Sequence, residues 1–500
     1  MNARTPTSVL NAAQLQSEID HAWDTDLVQQ LTDYIRIPAK SPLFDPQWAA
    51  HGHIDAVVRN AADWVRAQKI EGLTLEVIQL AGRTPVLFFE VPASSGAGNI
   101  NEAAPKKLSQ TVLMYGHLDK QPEFTGWRAD LGPWTPKYEN GKLYGRGGAD
   151  DGYAVYASIT AIAALKRQKI AHPRIVGLIE TCEESGSYDL LPYVDALRAP
   201  GNNRLGDVGL VICLDSGAGN YDQLWLTTSL RGMAGGVLKV EVLSEGVHSG
   251  DASGLVPSSF RILRHLLDRL EDSTTGHLLP QSFHCEVPTE RLAQARATAA
   301  ILGDELYKRF PWAHYDCEGS ARFTLPTTTD PLQALLKRTW MPTLSVTGAQ
   351  GLPDFQNAGN VLRPYTAFKL SLRLPPLVDA GLAVQQLKAL LEDNAPYQAR
   401  VTFESGGSAT GWNAPETAPW FEQALNLASR AHFGADCGYI GQGGTIPLMA
   451  MLSKGFPKAQ MMVCGVLGPQ SNAHGPNEFL HVPYAKKLTA TVAQVIAQMP

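Results

Sequence analysis

Thr111-Val112-Leu113-Met114-Tyr115-Gly116-His117-Leu118-Asp119 is the stretch from which the fold can be read. A short apolar run stops abruptly at a histidine and, two residues on, an aspartate. Continuous apolar runs of this length suit strands covered on both faces. Three further runs follow the same rule. Residues 175–179 lead to Glu183 and Glu184, 208–214 lead to Asp215, and 461–467 lead into a loop that carries His474. Helical patterns separate these runs, so a mostly parallel α/β sheet with flanking helices is expected. In open α/β sheets, sites form outside the carboxyl ends of the strands. That rule gathers the histidines and carboxylates along one edge.

Outward from there, Tyr144-Gly145-Arg146-Gly147-Gly148-Ala149-Asp150-Asp151-Gly152 sets a doubled carboxylate in a glycine-rich loop, ahead of a helical pattern over 153–167. Glycines permit turns closed to other residues, so Asp150 can be aimed inward. Helical spacing covers 13–36, stopped by Pro38, and 54–68. Strands are expected over 75–78 and 86–91, an exposed loop over 93–109, and a closing helix over 484–499.

The middle of the chain changes period. Residues 236–243 and 367–373 alternate, with Phe368, Leu370 and Leu372 set against Lys369, Ser371 and Arg373. This is the pattern of an antiparallel sheet with one wet face. Helices are expected over 258–271, 290–308 and 382–392. Residues 228–404 therefore read as an α+β domain inserted into a catalytic domain built from 1–227 and 405–500.

Composition sets bounds. The 500 residues are 44% hydrophobic and 18% charged, with a formal net charge of −6. No long basic run is present, which argues against nucleic acid as a partner. Residues 1–13 lack an apolar signal core, and no apolar run reaches the ~18 residues of a membrane span, so a cytoplasmic protein free of the membrane is expected. The six cysteines are scattered without a C-x-x-C pair, so any metal should be held by histidine and carboxylate. Cys182 has no evident partner histidine and reads as a packing residue.

The chemistry wants such a set. Zinc accepts imidazole nitrogen and carboxylate oxygen, and a catalytic site keeps a position open for water. Two ions about 3.5–4 Å apart can share a carboxylate and polarise a substrate oxygen. Asp119 lies two residues beyond His117, on the same face of an extended segment, and can orient the imidazole. Glu183 and Glu184 are adjacent and point apart, so one can bind metal while the other serves as general base.

At these residues the chain resembles the di-zinc peptidases and amidohydrolases that include carnosinases, aminoacylases, acetylornithine deacetylase and glutamate carboxypeptidase. The matching pieces are Gly116-His117-Leu118-Asp119, Leu143 to Gly147 with Asp150-Asp151, Glu183-Glu184-Ser185-Gly186-Ser187 and Cys213-Leu214-Asp215. Gly246-Val247-His248-Ser249-Gly250, Gly443-Gly444-Thr445-Ile446-Pro447 and Ala473-His474 complete the set.

The resemblance implies that His117 and Asp215 hold one zinc, that Glu184 and His474 hold the other, and that Asp150 bridges them. It makes Glu183 the general base and Asp119 the carboxylate behind His117. It makes the inserted domain a lid and dimerisation domain, so that a homodimer is expected. His248 would then reach the partner subunit's site and steady an oxyanion. Arg373 would bind the substrate carboxylate, and Gln442, Gly443, Gly444 and Thr445 would line the substrate site.

The large insert favours the carnosinase-like branch. That branch usually has Glu where this chain has Gln442, and the doubled aspartate is followed by Gly152-Tyr153 in place of Lys-Gly. The activity implied is hydrolysis of a dipeptide or short peptide with a free C-terminal carboxylate. The alternatives are deacylation of an N-acyl amino acid and a silent scaffold. Zinc is the expected metal, and manganese and cobalt suit the same ligands.

Overall fold

Apolar runs and alternation sort into the two largest sheets. In the computed structural model, which describes residues 10–94, 110–317, 320–444 and 447–500, the chain divides into two units. The first comprises Met1–Thr227, Ala414–Tyr439 and Leu452–Pro500; the second comprises Thr228–Asn413 and Ile440–Met451. The second unit thus takes in a returning segment beyond the 228–404 read from sequence. The expected loop of 93–109 lies outside the described residues beyond Ser94, as does Thr445.

The main strands in chain order are β1 (Thr74–Ile78), β2 (Val86–Val91), β3 (Thr111–His117), β4 (Arg174–Glu180), β5 (Val208–Cys213), β6 (Gly232–Glu241), β7 (Thr343–Gln350), β8 (Tyr365–Leu374), β9 (Arg400–Ala409) and β10 (Gln460–Val463). The first unit's sheet has the order β1-β2-β4-β3-β5-β10. Four neighbours, β4, β3, β5 and β10, run parallel, and β1 and β2 add antiparallel pairs at one edge. Every residue of β3 and β5 is buried, which explains their unbroken apolar runs. The run expected over 461–467 forms a shorter strand, ending at Val463.

Two helices shape the site from below: α1 (Val28–Ile35) and α2 (Tyr153–Arg167). Gly116 is required where α2 crosses β3, since a Cβ there would lie 2.7 Å from the Cβ of Ala154. Tyr34 and Ile35, at the end of α1, fill the space beneath the glycine loop. A Cβ on Gly152 would meet Tyr34 at 2.2 Å, and one on Gly145 would meet Ile35 at 2.4 Å. Tyr34 also donates its hydroxyl to the carbonyl of Leu118. Lys120 is fully buried against the Tyr34 ring and caps α1, donating to the carbonyls of Tyr34 and Ile37 at 2.8 Å.

The second unit has a four-stranded antiparallel sheet, ordered β7-β8-β6-β9. Along β6, buried residues alternate with partly exposed ones. Leu370, Leu372 and Leu374 of β8 and Ala234, Leu238 and Val240 of β6 join Ile262, Leu266, Leu387 and Leu391 from α3 (Ser259–Leu267) and α4 (Ala380–Glu392) in one core. Among the described residues, no helix is long and apolar enough to cross a membrane.

Candidate active site

The parallel strands of the first unit deliver their polar followers to one edge. His117 closes β3 and is 1% exposed. Its Nε2 faces Asp150 Oδ1 at 3.5 Å and Asp215 Oδ2 at 3.8 Å. That nitrogen is buried and has no hydrogen-bond partner among the described residues. Its Nδ1 faces the Asp119 backbone carbonyl at 3.1 Å and the Asp119 carboxylate at 3.5 Å. His474 arrives from the loop after β10. Its Nε2 lies 2.9 Å from Asp150 Oδ2 and 3.4 Å from Glu184 Oε2, and 54% of its side chain stays exposed. Asp150 thus stands between the two imidazoles.

Asp119 is wholly buried and holds the segment that carries the adjacent glutamates. It accepts the backbone N–H of Glu183 at 3.1 Å and that of Glu184 at 3.0 Å. Its place in sequence suggested an imidazole partner; its grip on the glutamate turn is an addition from the structure. Glu184 is steadied further by Gln121, whose Nε2 donates to Oε2 at 2.6 Å.

Two groups have ligand atoms mutually within 4.8 Å: His117 with Glu183 and Asp215, and His117 with Asp150 and Glu184. Buried carboxylates in such number oppose one another's ionisation. Burial, then the charge of Asp215, holds Glu183 well above its ordinary range. Burial, then Asp150, does the same to Glu184. Burial also pushes Asp215 up to about 7. Burial works against charge at Asp150 too, but His117 and His474 outweigh it and hold that carboxyl low. An acidic cluster ringed around an unpartnered imidazole nitrogen fits a divalent cation in both charge and donor type.

The glycine loop is tied to the His474 loop by a pair that sequence reasoning missed. Arg146 and Glu478 form a salt bridge, 1% and 0% exposed. Arg146 also donates to the carbonyls of Gly475 and Pro122, and Glu478 accepts the N–H of Gly147 at 2.9 Å. Asp151 was also missed as a distinct feature, although both its buried carboxylate oxygens lack a hydrogen-bond partner among the described residues.

The remaining residues singled out in the sequence belong to the second unit. His248 is exposed, pairs with Val361 in a short ribbon and accepts the N–H of Gly250. Arg373 lies on β8, in register with Met233 and Thr343. Gln442 accepts the N–H of Arg231 through its carbonyl, and Gly443 packs beside Arg231 and Arg338. Gly444 is exposed.

Residues 113–498 match the model of peptidase family M20/M25/M40. The chain belongs to this family. It is 26% identical over 441 residues to the cysteinylglycine-S-conjugate dipeptidase of Corynebacterium striatum, covering 85% of this chain and 88% of the relative. It is 27% identical over 370 residues to human Beta-Ala-His dipeptidase, covering 71% and 68% of the two chains. The crystal structure of human carnosine dipeptidase 1 superposes with a TM-score of 0.73 at 22% identity, covering 98% of this family member and 99% of that chain. The likeness in fold therefore extends through both units.

Proposed function

We propose that this protein is a metal-dependent hydrolase that cleaves the amide bond of dipeptides or short peptides with a free C-terminal carboxylate. The buried, unpartnered Nε2 of His117, facing Asp150 and Asp215, carries the reading. His117 and Asp215 would hold one divalent ion, Glu184 and His474 the other, and Asp150 both. Zinc suits this donor set, as do manganese and cobalt. When bound, two such ions acidify water and polarise the scissile carbonyl.

The chain's own residues supply the rest. Asp119 fixes the turn that aims Glu183 and Glu184, and faces His117 from behind. Glu183 takes the proton of the attacking water, keeps it in a buried setting that favours its protonated form, and hands it to the leaving amine. In the second unit, read as a lid and dimerisation domain, Arg373 docks the substrate carboxylate and Gln442, Gly443, Gly444 and Thr445 line the substrate. His248 of the partner subunit steadies the oxyanion of a homodimer's site. The protein works in the cytoplasm.

Gln442 favours a second reading. A neutral amide there, where the carnosinase-like branch usually has Glu, suits a substrate without a free amine, such as an N-acyl amino acid. Paired panels of free dipeptides and N-acetyl amino acids, assayed with zinc, manganese and cobalt, separate the two. Turnover of dipeptides supports peptidase action, and turnover of acylated substrates alone supports deacylation. With metal bound, failure on both panels refutes the amide-hydrolase assignment.

A further inference from the structure

Two arginines of the second unit, Arg231 and Arg338, pack against Gly443. Arg231 follows the strand Trp225–Leu230 and is 8% exposed. Its Nε lies 3.4 Å from the Gly443 carbonyl, and its Nη1 lies 3.2 Å from Thr343 Oγ1 and 3.4 Å from the Met341 carbonyl. Arg338 flanks the other side of Gly443. A Cβ on that glycine would stand 3.1 Å from Arg231 Nη2 and 3.2 Å from the Arg338 carbonyl oxygen. Nε and Nη1 of Arg338 are buried and donate to nothing among the described residues. No ion pair of the described residues includes Arg338.

Arginine keeps its proton in proteins, so a buried guanidinium with unused N–H groups is a standing demand for an acceptor. The electrostatics point the same way. Burial, then the like charges of Arg309 and Arg231, pulls Arg338 down to about 9. Burial, then Arg373, pulls Arg231 down to about 10. Arg373, Arg231 and Arg338 thus sense one another in sequence. A carboxylate docked at Arg373 would leave Nε and Nη1 of Arg338 unserved.

We propose that Arg338 and Arg231 form a second carboxylate subsite beside Arg373, fitted to substrates whose C-terminal residue is aspartate or glutamate. The proposal rests on the reading that Arg373 docks the substrate's α-carboxylate. The acidic side chain then supplies a second carboxylate a few bonds away, and Gly443, where a Cβ would already crowd Arg231 Nη2 at 3.1 Å, lets the backbone pass close to these arginines. A site built to satisfy a polar group discriminates against the isostere that cannot reach it, because the buried donors are then left bare.

The test compares Ala-Glu with Ala-Gln, by kcat/KM, in the wild type, Arg338→Met and Arg338→Lys. The expected result is a preference of about tenfold or more for Ala-Glu in the wild type. That ratio collapses toward one in Arg338→Met and is partly restored in Arg338→Lys. A wild-type ratio near one with both dipeptides cleaved overturns the subsite and leaves the hydrolase reading intact. So does an Arg338→Met variant that slows both dipeptides equally, which marks a structural role. Calorimetric titration with L-glutamate, L-glutamine and inorganic phosphate needs no turnover. If neither dipeptide is cleaved yet glutamate binds tighter than glutamine and depends on Arg338, the subsite stands and the hydrolase reading falls. If glutamate binds no better than glutamine, or phosphate alone binds through Arg338, the subsite for acidic residues is refuted.

Discussion

Arg146→Met tests whether a buried ion pair holds the two halves of the proposed ligand set together. Both partners are out of solvent, and removing the guanidinium leaves Glu478 with the N–H of Gly147 as its remaining described donor. The carbonyls of Gly475 and Pro122 lose their donor as well. Breaking a buried pair from one side costs about 3–5 kcal/mol, whereas replacing both partners by apolar groups is often close to neutral. Equilibrium urea unfolding of metal-free protein should therefore show a loss of about 3–5 kcal/mol in Arg146→Met. Most of that loss should be recovered in Arg146→Met with Glu478→Leu.

The same variant has a pH signature. Burial outweighs Arg146 and already lifts Glu478 to about 7, above the ~4.3 of an unfolded chain. A raised carboxyl binds protons in the folded state, so its contribution is full below the unfolded value and fades as pH rises through the folded one. Without Arg146 the folded value climbs further. The deficit of Arg146→Met should accordingly be smaller at pH 5 than at pH 8. A single-variant cost under about 1 kcal/mol, or a double variant no more stable than the single, would refute the ion pair as the fastening between Asp150 and His474.

Other outcomes follow from the same geometry. Glu183→Gln should lower kcat by about 10²- to 10⁴-fold while elemental analysis finds the metal content unchanged. Asp119→Asn keeps the shape but sets an amide against two backbone N–H donors; metal titration should show affinity weakened by about 10- to 100-fold. Chelation should lower Tm, and readdition of zinc at a hundredfold over Kd should restore about 2.7 kcal/mol, read by calorimetry. Gly147→Ala forces a Cβ to within 2.7 Å of Lys120 Cγ at a φ of +82°, and should cost about 1–3 kcal/mol in urea unfolding.

The first unit's sheet was legible because its strands are buried on both faces and therefore written as uninterrupted apolar runs. The gathering of His117, Glu184 and Asp215 along one edge was legible for a related reason: a His or carboxylate that follows such a run is carried to the end of its strand. The second unit was harder. β6 and β8 alternate visibly, but β7 and β9 lie at the sheet's edges. Leu344 and Val346 alternate with polar neighbours, as do Val401 and Phe403, but each pattern is short and gives way to the exposed, glycine-interrupted remainder of Thr343–Gln350 and Arg400–Ala409, which owes its form to the pairing itself. The return of Ile440–Met451 to the second unit leaves no mark in composition. Arg146 and Glu478 are 332 positions apart, and nothing local announces that either will be buried or that they will meet. Arg338 sits in an ordinary helical pattern, and that its Nε and Nη1 meet no acceptor among the described residues is a property of packing alone.

The end of α1 lies outside the matched 113–498, yet Tyr34 and Ile35 are the mould against which the glycine loop is cast. A fragment starting at residue 113 would carry every proposed ligand and still lack the surface that dictates where Asp150 points. Ligand identity and ligand aim are thus encoded in separate parts of the chain. Swapping the first forty residues for those of a relative would probe the aim alone, with the chemistry of the donors left untouched.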